Sequence, residues 1–70
     1  MNKYKINYND KPRFYWGEDV YEAIEKFTNQ NKVDVNVKMI DANSRGRDWA
    51  FGYILDNDST PIKEFLIERI

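Results

Sequence analysis

Neither cysteine nor histidine occurs in this chain, so no disulfide can staple it and the usual zinc ligands are missing. That absence weighs heavily at 70 residues, a size at which folding buries only roughly 60% of the surface exposed by the unfolded chain. The core must come from packed side chains or from a partner chain. Aromatics supply 16% of the residues, and each buried ring removes a large apolar area from water. There is room for one core, so a single domain over 1–70 is expected.

The same absence bears on function. Without His or Cys the chain lacks the commonest general base, the most reactive nucleophile and most transition-metal ligands. A carboxylate pair would need a cleft that drives two pKa values apart, which a fold this small seldom encloses. The expectation is a protein that is not an enzyme and carries no cofactor and no metal. Asp56-Asn57-Asp58-Ser59-Thr60 opens like a calcium loop, but Pro61 stands where the sixth-position glycine belongs and Ile67 where the twelfth-position Glu belongs. It reads as a turn.

Eleven basic and twelve acidic residues leave a formal net charge of −1, so no global field draws the chain to nucleic acid or to an anionic membrane. Lys3 and Lys5 near the start precede no apolar run, which does not suit a signal peptide, and no segment approaches the ~20 apolar residues of a spanning helix. A cytoplasmic setting is expected. Frequent Asn, Lys, Ile and Tyr with little Ala fit AT-rich codons and point to a low-GC bacterium or to a phage or mobile element.

Alternation in the chain predicts its elements. Tyr4, Ile6 and Tyr8 alternate with Lys3, Lys5 and Asn7, a half-buried strand. A turn at Asn9-Asp10-Lys11-Pro12 leads to a second, aromatic strand at Arg13-Phe14-Tyr15-Trp16, forming a hairpin that ends at Gly17. From Glu18 to about Asn29 the period lengthens. Val20, Ala23, Ile24 and Phe27 share one helical face, Asp19 and Glu22 have capping spacing, and Glu22 reaches Lys26 at i+4. Val33, Val35, Val37 and Met39 then mark a third strand, and Trp49, Phe51, Tyr53 and Leu55 a fourth, paired antiparallel. Residues 62–70 suit a strand better than a short helix, because a turn ending in Pro61 sends the chain back along its neighbour. The expected fold is α+β: ββαβββ, a mostly antiparallel sheet with one helix on one face.

Five strands about 4.8 Å apart make a sheet roughly 24 Å wide, against about 10 Å for a helix. One helix cannot cover it, so some of Tyr4, Tyr8, Tyr15, Tyr21, Trp49 and Tyr53 should stay accessible. This favours a small regulatory or protein-binding module that docks an aromatic sheet surface or a strand edge on a protein partner or a second copy of itself. The alternative is a nucleic-acid-binding domain. Arg45 and Arg47 flank Gly46 at the tip between the third and fourth strands, placed to hold phosphate, with Trp49 and Tyr53 to stack on bases. RNA-recognition sheets want aromatics directly after a basic-Gly pair, and here Arg47 and Asp48 intervene. The candidate binding residues are Arg45, Arg47, Trp49, Tyr53 and Tyr15.

Overall fold

A computed structural model describes residues 1–42 and 48–70. The elements are β1 (Asn2–Tyr8), β2 (Lys11–Gly17), α1 (Val20–Asn31), β3 (Asp34–Asp41), β4 (Trp49–Leu55) and β5 (Pro61–Arg69), an α+β order of ββαβββ. All pairings are antiparallel, and the spatial order is β2-β1-β5-β4-β3. The C-terminal segment is therefore a strand, and it is the central one.

The first hairpin turns on Asn9 and Asp10 alone, at φ 53° and 63°. Two consecutive left-handed residues match the twist of the flanking strands, and Asn and Asp tolerate that conformation better than other side chains. Lys11 and Pro12, expected in the turn, belong to β2 instead. Pro12 is admissible because β2 is an edge strand and a missing N–H there breaks no ladder.

The helix begins where its cap predicts. Asp19 is extended and its Oδ1 accepts from the Glu22 N–H at 2.9 Å, while Glu22 pairs with Lys26 at 3.4 Å. Because β2 and β3 are opposite edges and two residues span only about 7 Å, Lys32 and Val33 cannot make the crossing. The helix carries the chain obliquely over the sheet. Its predicted face, Val20, Ala23, Ile24 and Phe27, is buried on Tyr4, Ile6, Tyr15, Ala50, Ile54, Phe65 and Ile67. Phe27 receives the rings of Tyr8 and Tyr15 edge-on, at centroid distances of 5.3 and 5.9 Å.

In β3 the simple alternation fails. Val35 and Val37 pair with Ile54 and Gly52, but a bulge between Val37 and Met39 shifts the register so that Ile40 pairs with Ala50. Ile40 thus joins the core while Met39 turns to the other face. The bulge brings the backbone of β3 close to Gly52, where an added Cβ would lie 2.1 Å from the Asn36 carbonyl oxygen and 2.9 Å from Val37 Cα. Only glycine fits.

A polar pair, Tyr4 and Asp48, is buried at the edge of the core. Tyr4 Oη donates to Asp48 Oδ2 at 2.9 Å, and the Asp48 carbonyl accepts from the Arg69 N–H at 2.8 Å. Asp48 Oδ1 has no hydrogen-bond partner among the described residues. Burial first, and the bond to Asp48 second, push the Tyr4 phenol above its usual 10.0.

Substitutions at Gly52 and Tyr4 test this packing. Gly52→Ala should lose about 2 kcal/mol or more in urea unfolding, since the clash is with backbone that cannot step aside. The Tyr4 contribution is fully present below pH 10.0 and falls as pH rises further, because the unfolded chain releases its phenolic proton first. Tyr4→Phe should lower neutral-pH stability by about 1–3 kcal/mol, leaving Asp48 unpaired, and remove that part of the alkaline decline.

Candidate functional site

Strand alternation decides which residues the helix covers. In β4, Ala50, Gly52 and Ile54 are buried, so Trp49, Phe51 and Tyr53 point to the opposite, open face. In β5, Phe65 and Ile67 go inward and Leu66 goes out. In β2, Tyr15 goes inward while Phe14 and Trp16 go out. Phe14, Trp16, Leu66 and Met39 are 46%, 52%, 47% and 58% exposed, apolar groups that no described element covers; the outward residues of β1 that lie between the β2 rings and Leu66 are Lys3, Lys5 and Asn7.

The pairing register aligns the charges with this surface. Lys5 pairs with Phe14 on one side and Glu68 on the other, and Glu68 pairs with Trp49. One row across the sheet therefore reads Phe14, Lys5, Glu68, Trp49 and, on β3, Asp41. The neighbouring Lys3 has its Nζ 4.7 Å from the Phe14 centroid and 5.8 Å from that of Trp16, a cation held over exposed rings. Phe51 and Tyr53 meet edge to face at 5.9 Å. Lys5, Asn7, Phe51, Leu66 and Glu68 border a shallow depression of about 270 Å³. Lys5 and Glu68 form no ion pair with one another among the described residues, although they face each other across adjacent strands.

Of the residues singled out from the sequence, Trp49 and Tyr53 lie half-buried on this open face. Tyr15 does not join them. It is 8% exposed, under the helix, where its hydroxyl donates to Gln30 Oε1 at 2.6 Å and accepts from Asn31 Nδ2 at 3.1 Å. Arg45 and Arg47 lie outside the described residues. Sequence reasoning misses Phe14, Trp16, Leu66 and the Lys5–Glu68 pairing. In Phe14-Tyr15-Trp16 both parities are aromatic, so the sequence carries no polar alternation to say which faces out.

The edges are less inviting than the face. β3 carries its bulge and Lys38, and β2 carries Pro12, features that discourage a further strand from adding. The Asp56 cluster is a turn: Asp56 Oδ1 accepts from the N–H groups of Asp58 and Thr60 at 2.9 Å each. Among the described residues no helix is long and apolar enough to cross a membrane.

Adjacent positions on β5 separate the two faces experimentally. Leu66→Ser should change stability by less than about 1 kcal/mol, whereas Ile67→Ala should cost about 2–5 kcal/mol, read from urea midpoints of the two variants. Compared with known proteins, the chain matches no protein-family model, no curated protein and no solved structure.

Proposed function

We propose that this chain is a small non-enzymatic interaction or regulatory module that docks the open face of its sheet on a protein surface. The observation that carries this reading is the set of exposed apolar groups Phe14, Trp16, Leu66 and Met39, with the half-buried Trp49, Phe51 and Tyr53, flanking a charged centre of Lys5 and Glu68 on the side away from the helix. Aromatic rings of this kind are the usual anchors of protein interfaces, where they bury large area at small entropic cost. The missing His and Cys support a binding role over a catalytic one.

A nucleic-acid role draws on a different feature. Arg45 and Arg47 closely precede Trp49 in the sequence, and Trp49 lies on the open face with Tyr53 further along the same strand. Glu64 and Glu68 weigh against it, because they pair with Tyr53 and Trp49 and would oppose a polyphosphate backbone there.

Affinity capture from a low-GC bacterial lysate, with and without nuclease, compares the two. On the protein-docking reading, capture survives nuclease, responds weakly to salt, and is lost with Leu66→Asp or Trp16→Ala in a chain that stays folded by circular dichroism. Capture that vanishes with nuclease, and weakens with Arg45→Ala and Arg47→Ala, would overturn it in favour of nucleic acid.

A further inference from the structure

The row Phe14, Lys5, Glu68, Trp49 has a symmetry that single-chain packing does not use. Read outward from the line between β1 and β5, its four inner members are cation then aromatic on one side and anion then aromatic on the other, with Asp41 of β3 beyond the matched strands. Rotation by 180° about an axis lying along the strands on that line, between two facing sheets, reverses the spatial order of the strands in the second copy. β1 of one copy then lies over β5 of the other, and β2 over β4. Along-strand position is unchanged, so Lys5 meets Glu68 and Phe14 meets Trp49, each contact occurring twice.

We propose that the occupant of the open face is a second copy of this chain, docked face to face about that axis as an aligned two-sheet sandwich. The inference rests on the docking role of the open face and names its partner. Charge complementarity is its main support. Lys5 and Glu68 are paired positions on neighbouring strands with no ion pair to each other among the described residues, and across an interface opposite charges fix register and like charges exclude it. The depression beside Leu66 lies next to the axis, bordered by Lys5, Asn7, Phe51 and Glu68. The protected edges leave face packing as the favoured mode of self-association.

The area is small. Four strands, β2 to β4 in spatial order, present roughly 19 by 23 Å, or about 440 Å² in plan. The accessible area is larger because the rings stand up from the sheet. Stable interfaces begin at about 600 Å² per partner, so a weak dimer whose population rises with concentration is expected.

Sedimentation equilibrium tests this with charge exchange. The wild type should approach twice 8.4 kDa as concentration rises. Lys5→Glu and Glu68→Lys should each raise the dissociation constant about 100-fold or more, while circular dichroism shows both folded. Mixing the two variants should restore a heterodimer, since the carboxylates at positions 5 and 68 of one copy then face the ammonium groups at positions 68 and 5 of the other. An intrachain effect cannot produce that rescue. A wild type that stays monomeric at millimolar concentration, a dimer indifferent to either exchange, or a mixture that fails to associate would overturn the proposal. In the first case a partner lost with Leu66→Asp would still uphold docking through this face, so the two readings fail separately.

Discussion

The 12-residue helix α1 laid across five strands can exclude water from only one side of the sheet, and the rest of the described molecule is arranged around that limit. The side it covers is built for density. Tyr4, Phe27, Ile6, Ile54, Ile67 and Val20 are fully buried, and the rings of Tyr8 and Tyr15 close on Phe27 edge to face. These contacts take the place of the disulfides or metal that brace other chains of this size. The other side keeps its large apolar groups in contact with solvent.

The placement of β5 makes the covered side possible. Inserted between β1 and β4, it joins the N-terminal hairpin to the β3–β4 hairpin and brings Phe65 and Ile67 beneath the helix. The same insertion aligns Lys5, Glu68 and Trp49 on the open face. Fold and candidate surface are thus two consequences of one long-range pairing. The Tyr4–Asp48 hydrogen bond closes one end of the core with residues from β1 and the segment entering β4.

Several features are legible in the sequence because they are local. The helix face Val20, Ala23, Ile24 and Phe27, the Asp19 cap and the Glu22–Lys26 pair depend on spacing within a few residues, and all occur in the structure. The shared face of Trp49, Phe51 and Tyr53 is likewise local, since alternation is a property of any strand. Alternation misleads in β3, where a bulge, invisible in the residue types, sends Met39 outward and Ile40 inward. It is silent in β2, where Tyr15 and its neighbours are all aromatic; Tyr15 faces inward as the pairing partner of Tyr4, packs on Phe27, and meets Gln30 and Asn31 with its hydroxyl.

From the order of amino acids alone it follows that the chain forms strands and one amphipathic helix, that no disulfide braces them, and that one helix cannot cover the aromatic supply. These follow from period, composition and width, which need no knowledge of which strands are neighbours. Folding in three dimensions adds that β5 is central, that Gly52 must accept the close backbone of Asn36, and that cation and anion lie side by side between two aromatics. Strand order and register join residues as distant in the chain as Lys5 and Glu68, and no local pattern encodes a pairing at that separation. It is chosen by which arrangement buries the most apolar surface beneath the helix while leaving no backbone group without a partner.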